Sequence, residues 1–523
     1  MGVILLSAEK TDIAIRTVNV CKRFNTIIAN DNISLDIRRG EILALLGENG
    51  SGKTTLMNML SGIYFPDSGE IYVNGQQVTI RSPKDSLKLG IGMVHQHFKL
   101  VDVFTAAENI VLGLPGGVHI DRKALNQQIR EISNRYGFEL DPEKKIYDMS
   151  VSEKQTVEII KVLYRQADIL ILDEPTAVLT PQETQKLFKI LRRMKEDNKA
   201  IVIITHKLHE VLDVSDRVHI LRKGQFIGTV QTAETNAAEL TEKMVGRAVS
   251  LEIERPQVEN KELRMEIKDL SCVNADGVKM LQQINFNLYG GEILGVAGIA
   301  GSGQKELCEA LAGLQSMQSG QILYHNGDAV RDMAGEPPME MIHQGIAMNF
   351  VPEDRLGMGL VAAMDMTDNV MLRSYYQPQG PFVNRRPPKQ LAEDLIDKLE
   401  IVTPGVSTPI RLLSGGNVQK VLLGREIACT PKVLIVAYPV RGLDINSSYI
   451  VYDLLNEEKK RGVAVLFVGE DLDVMLELCD RIMVLCGGEI SDIVDARSAT
   501  KEQLGLLMTS RKQDRKEAPA HEQ

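Results

Sequence analysis

The sequence predicts an α/β fold, built twice in tandem. Three observations carry that prediction. Strand-like and helix-like segments alternate along the chain, which argues for layered α/β domains. The runs ADILILD (167–173) and AIVIITH (200–206) are almost continuously apolar, as parallel strands buried on both faces are. A Gly-rich frame also returns downstream, with Gly47 matched by Gly298 at an offset of 251 residues.

Composition bounds the rest. At 523 residues the chain exceeds one hydrophobic core, so two or more domains are expected. It is 44% hydrophobic and 25% charged, which are globular values. A net charge of -10 disfavours a protein that coats nucleic acid, and no nucleic-acid partner is expected. Trp is absent and aromatics are 4%, so membrane belts and base-stacking platforms have little material. No apolar run approaches the roughly eighteen residues of a membrane span. The N-terminal VILLS is too short for a signal sequence and lacks a basic flank, so the chain is expected in the cytosol. The six cysteines are scattered and read as reduced, mostly buried thiols, without zinc spacing.

Three anchors define the repeat. Residues 32–63 share GEIL, a G-x-x-G-x-G loop and a Leu-x-Gly helix end with residues 284–314. Ser150–Glu153 matches Ser414–Asn417, and ILDEPTAVLT (171–180) matches IVAYPVRGLD (435–444), both at an offset of 264. The expected organisation is a first domain at 1–250, a charged linker at 251–263 containing Pro256, a second domain at 264–508 and a polar, disordered tail at 509–523.

Gly47-Glu48-Asn49-Gly50-Ser51-Gly52-Lys53-Thr54 matches G-x-x-x-x-G-K-[ST] between the apolar strand EILALL and the helix TLMNMLSG. Glycines let successive backbone N–H groups point inward around phosphate oxygens, and the following helix offers its positive end. Lys53 can reach the β- and γ-phosphates, and Thr54 can ligate Mg²⁺. A nucleotide and Mg²⁺ are therefore the expected ligands. Asp173 and Glu174 end the strand ILIL, where an open α/β sheet faces its ligand crevice. Asp173 can hold the metal and Glu174 can orient the attacking water, although an Asp-Glu pair also suits a helix start. His206 ends the next apolar strand and can stand beside the γ-phosphate, where a structural histidine is the alternative. Gln96, in GMVHQHF, can sense metal and water through its amide. Phe24, in CKRFN, can stack on adenine or belong to the core.

In this order the parts resemble the nucleotide-binding domain of ABC transporters, over roughly residues 12–508. Phe24 takes the A-loop position, residues 47–54 and the following Thr55 the Walker A region, Gln96 the Q-loop, Asp173-Glu174 Walker B and His206 the switch. Ser414-Gly415-Gly416-Asn417 is similar to the family signature, and Asp444 stands at the D-loop aspartate. A capped helix start is the alternative for the signature residues. The resemblance implies two P-loop NTPase domains, each a RecA-like α/β core with a helical subdomain and an antiparallel β part. It also implies that Lys53, Gln96, Glu174 and His206 act in catalysis, with Thr54, Gln96 and Asp173 at the metal.

The departures sort between the halves. In the second half Gln304 and Lys305 replace the P-loop Lys and Thr, Ala437-Tyr438 replace Asp-Glu, Glu470 replaces His206 and Glu353 aligns with Gln96. The extra carboxylates are expected to repel a γ-phosphate. In the first half the signature is damaged instead, reading Met149-Ser150-Val151-Ser152-Glu153, and Thr180 replaces the D-loop Asp. Family members place each ATP between the Walker motifs of one half and the signature of the other. The resemblance thus implies an intramolecular pseudo-dimer with one catalytic and one degenerate site. Two fused ATPase halves, residues 90–113 and VPEDR (351–355) are similar to the ATPase subunits of bacterial importers of nucleosides or simple sugars. That implies two separate transmembrane permeases, an extracytoplasmic substrate-binding protein and a peripheral location on the cytoplasmic face of the inner membrane. A soluble tandem ABC ATPase acting on ribosomes or DNA is the alternative.

Overall fold

A computed structural model describes residues 12–25, 27–96, 98–114, 121–177, 179–205, 207–247, 252–259, 261–274, 277–375 and 383–510. The chain divides into two compact units, Met1–Ser250 and Leu251–Gln523. Both are α/β and share one topology. In the first unit a mostly parallel sheet has the strand order Gln225–Gln231, Arg217–Arg222, Glu41–Leu46, Ala200–Ile204, Ile169–Asp173, Ile91–Val94. In the second, the matching order is Glu489–Asp495, Arg481–Cys486, Ile293–Ala297, Ala464–Val468, Val433–Ala437, Met348–Val351. Each central strand is buried along its whole length, which is why it carries no polar alternation.

A four-stranded antiparallel sheet accompanies each core, led by Ile13–Phe24 and Ile27–Arg38 in the first unit and by Leu263–Val273 and Lys279–Tyr289 in the second. Each unit also has a helical part. It comprises Ala106–Val111, Arg122–Tyr136 and Val151–Tyr164 in the first unit, and Met366–Met371, Arg386–Lys398 and Gly415–Ala428 in the second. In both mostly parallel sheets an ion pair ties the starts of two neighbouring strands: buried Glu41 with buried Arg217, and buried Glu292 with half-buried Arg481, each at 2.6 Å.

Two boundaries differ from the expected ones. Residues 252–259 lack regular structure, as a linker should, yet they are tied to the second unit. Arg255 donates to the carbonyls of Leu476 and Cys479 at 3.0 and 2.8 Å, and Asn456 donates to the Glu254 carbonyl at 2.5 Å. Burying a guanidinium against open carbonyls is favourable enough to hold a stretch with no periodicity. Thr509, expected in the tail, closes the helix Lys501–Thr509, while residues 511–523 lie outside the described residues. Among the described residues no helix is long and apolar enough to cross a membrane.

Candidate functional site

The first unit builds its site at the C-terminal ends of the central strands. Strand Glu41–Leu46 runs into the loop 47–52, and the helix Lys53–Leu60 starts immediately after it. Gly52 caps that helix at φ 97°, a left-handed conformation, and a Cβ there would sit 2.2 Å from the Ala29 carbonyl. Gly50 is also left-handed, at φ 80°, and faces open space. Lys53 is buried and folds back over the loop, donating to the carbonyls of Gly47 at 2.6 Å and Glu48 at 3.0 Å. Burial lowers its pKa, against the opposing fields of Glu174, Asp173 and Glu48. Thr54 is exposed and Thr55 half-buried on the same first turn; Asn49 is exposed at the loop tip.

Asp173 ends its strand in register with Ile204. Burial first, then the neighbouring Glu174 charge, pushes its carboxyl up to about 6, with Lys53 pulling the other way. Glu174 has a φ of 50° and donates its N–H to the Ile204 carbonyl at 2.8 Å. A non-glycine residue held there stores backbone strain of order 1 kcal/mol. Gln96 is exposed just beyond strand Ile91–Val94. Phe24 lies outside the core: it is 39% exposed, at the end of its strand, edge-on to Tyr64 at 5.2 Å. His206 lies outside the described residues.

The residues present fit a nucleotide and its metal. The loop offers an open left-handed glycine, a buried ammonium with only carbonyl partners, and a buried Ser51 hydroxyl without a hydrogen-bond partner among the described residues. Two adjacent carboxyl groups, one with a raised pKa, supply the oxygen chemistry that a hard cation uses.

The second unit keeps the backbone of this site and discards its chemistry. Gly303 caps the matching helix at φ 104°, Tyr438 adopts Glu174's left-handed backbone at φ 49°, and its N–H reaches the Val468 carbonyl at 2.9 Å. Gln304 imitates Lys53 by donating to the Ile299 carbonyl at 3.2 Å. The repulsion expected from Glu353 and Glu470 is offset in part, since one arginine balances one of the two carboxylates. Arg441 pairs with Glu353 and, at 3.2 Å, with Glu470, and it lies over the Tyr438 ring at 5.9 Å. Beside this cluster lies a cavity of about 300 Å³, bounded by Gln304, Cys308, Phe350 and Tyr438. Sequence reasoning noted both carboxylates but missed Arg441, whose position in PVRGLD was the available signal.

The two signatures also differ in how they spend their helix N-termini. Ser150 caps Val151–Tyr164 in a reciprocal box with Glu153, whose carboxylate accepts the Ser150 N–H at 2.8 Å and pairs with Lys144 at 2.7 Å. The damaged signature therefore carries its own anion. Ser414 caps Gly415–Ala428, but Asn417 is neutral and turns its amide to Val402 at 3.0 Å. Asp444 caps Ile445–Lys460, holding the Ser447 N–H and hydroxyl at 2.8 Å, and Thr180 caps the matching helix Pro181–Glu196. A cap is thus conserved at both places, and only one of them carries a carboxylate.

The ABC transporter family matches residues 30–177 and 281–439. The nucleoside import ATP-binding protein NupA of Lactococcus lactis subsp. cremoris is 42% identical over 94% of this chain and 97% of its own. The guanosine import ATP-binding protein NupO of Bacillus subtilis is 43% identical with the same coverage, and the ribose import ATP-binding protein RbsA 1 of Rubrobacter xylanophilus is 37% identical over 94% and 97%. Archaeal ribosome recycling factor aABCE1, solved with the stalk protein aP1, aligns over 94% of this chain and 92% of its own. Its TM-score is 0.62 and its identity 17%, a likeness of fold alone.

Proposed function

This chain belongs to the ABC transporter family, and from that premise we infer that it is the ATP-hydrolysing subunit of an importer of nucleosides or simple sugars. The observation that carries the reading is identity of 42–43% over 94% of the chain to nucleoside import ATP-binding proteins. The first unit's Lys53, Asp173 and Glu174 supply the matching chemistry. The soluble ribosomal alternative has only the fold likeness at 17% identity. Partners of this reading are two membrane permeases and an external substrate-binding protein, and the chain works peripherally at the cytoplasmic face.

Bound ATP supplies the phosphoanhydride to be cleaved, and Mg²⁺ offsets the charge of its oxygens. Thr54, Asp173 and Gln96 are the residues that would hold the metal. Phe24 offers its exposed ring to the base. The backbone N–H groups of the loop from Gly47 to Gly52 and of Thr54 and Thr55 take phosphate oxygens, and Lys53 exchanges its carbonyl partners for phosphate. Glu174 accepts a hydrogen bond from the attacking water and aligns it, assisted by His206. Ser414–Asn417 and Asp444 are further nucleotide-binding residues of this reading, as the family resemblance implies.

The reading is tested by uptake. Assembled with its permeases in vesicles and given ATP on its own side, the chain should accumulate labelled nucleoside or ribose. Glu174→Gln keeps shape but removes the water-orienting charge. That complex should retain ATP, release phosphate at least about 10²-fold more slowly and accumulate nothing, whereas Tyr438→Phe should behave as wild type. Rapid phosphate release by Glu174→Gln would assign the water to another group.

The raised pKa of Asp173 makes a separate prediction about stability. Unfolded, this carboxyl loses its proton near pH 4; folded, it keeps it to about 6. The folded state binds more protons across that window, so stability falls as pH rises from about 4 to about 6, then stays level. Asp173→Asn, neutral throughout, should stabilise the ligand-free chain at pH 8 by about 1–3 kcal/mol while abolishing hydrolysis. Thermal unfolding at pH 4 and pH 8 checks this; an equal effect at both would refute it.

A further inference from the structure

We propose that Arg355 is a positioning residue for ATP hydrolysis, one that holds the signature turn Ser414–Asn417 in its working geometry. The proposal rests on the reading above, in which that turn contributes to ATP hydrolysis. It concerns a residue that never needs to touch the nucleotide.

The second unit carries a three-residue insertion beside its signature helix. Val94–Phe98 in the first unit matches Val351–Arg355 in the second, and Val101 matches Val361: each donates its N–H to the side-chain oxygen of an asparagine, Asn109 or Asn369, at 2.8 Å. Between these anchors the first unit has Lys99 and Leu100, while the second has Leu356–Leu360. The longer segment forms a single wide helical turn, Arg355–Gly359, capped by Asp354, which accepts the Gly357 N–H at 2.8 Å.

This turn lies along the signature helix and is tied to it at two levels. Arg355 donates to the Gly415 carbonyl at 3.2 Å, at the mouth of the helix. Further along, Arg425 donates to the Gly359 carbonyl at 2.7 Å. The other arm of the Arg355 guanidinium reaches the Arg441 carbonyl. Arg441 is itself held by Glu353 and Glu470, the residues standing where the first unit has Gln96 and His206. The positions that lost catalytic chemistry in this unit now anchor a chain of contacts ending on the signature backbone.

Among the described residues the first unit has no counterpart of the Arg355 bridge, although Lys161, matching Arg425, donates to the Lys99 carbonyl at 3.4 Å. Phe98 stands at the Arg355 position, and the corresponding segment is tied to the middle of its helix instead, by Lys99 N–H to Glu158 at 2.8 Å. The bridging arginine therefore occurs only in the unit whose signature is intact. A planar fork that joins two carbonyls on separate segments fixes distance and orientation together, which a lysine cannot do.

The test uses the full chain assembled with its permeases, in three variants. Arg355→Ala should lower kcat for ATP by about 10- to 100-fold while KM and equilibrium ATP affinity stay within about twofold, because misplacement by an ångström acts on the reaction and not on binding at the first unit's loop. Arg355→Lys keeps the charge and the stem and should fall to a similar kcat, with an unfolding temperature equal to wild type. Gly416→Asp is the control for the underlying reading. If it abolishes hydrolysis while both Arg355 variants retain full kcat, Arg355 has no positioning role. Full rescue by lysine, or weaker ATP affinity at unchanged kcat, would also overturn the proposal. If Gly416→Asp itself hydrolyses normally, the signature reading fails, and the proposal with it.

Discussion

Lys53→Ala is expected to lower steady-state phosphate release by the assembled complex about 10²- to 10³-fold and to stop transport, the cost of removing one preorganised charge from a phosphate site. Its counterpart Gln304→Ala should leave most of the hydrolysis intact. Both side chains are buried and both donate to a loop carbonyl, at 2.6 Å for Lys53 and 3.2 Å for Gln304, so the two variants remove comparable packing. They differ in charge. Lys53 sits in the combined field of Asp173 and Glu174, whereas Gln304 faces Ala437 and Tyr438. Equal losses from both changes would overturn the assignment of catalysis to one site.

Gly416→Asp should be as damaging as Lys53→Ala, with ATP binding to the first unit largely intact. A Cβ at Gly416 meets no clash: Asp444 Oδ2, Leu443 Cδ2 and Ser447 Oγ lie at 3.8 Å, ordinary contact distance. The added carboxylate would stand close to that of Asp444 as well as to bound phosphate, so both repulsions contribute to the loss. Ser152→Asp, the matching change, should stay within about twofold of wild type. Its signature already carries the Glu153 carboxylate, neutralised by Lys144. ATPase rate and nucleotide binding for all three variants decide the matter. A lethal Ser152→Asp beside a mild Gly416→Asp would mean that each half uses its own signature.

Much of this molecule is written in short stretches of chain. The apolar runs at 169–173 and 200–204 become fully buried parallel strands because a sheet covered on both faces needs no polar alternation. The loop 47–54 was legible because its chemistry is carried by backbone freedom and one lysine, both local properties. The duplication was legible for the same reason: the left-handed residues Glu174 and Tyr438 show one backbone path under two chemistries.

Charge pairing was not legible, because it depends on which strand ends meet. Glu353 and Arg441 are 88 residues apart, and Arg355 and Gly415 are 60 apart. Sequence alone shows Glu353 and Glu470 as two surplus negative charges; folding brings the ends of strands Met348–Val351, Val433–Ala437 and Ala464–Val468 side by side and sets Arg441 between them. Asp444 and Thr180 looked like a retained and a lost functional residue, yet both cap a helix, since a carboxylate and a hydroxyl satisfy the same orphan N–H groups. Residue type and spacing determined where phosphate chemistry is possible in this chain. The approach of distant segments determined which charges are spent inside the protein and which remain for a ligand, because Coulomb energy follows distance in space and not along the chain.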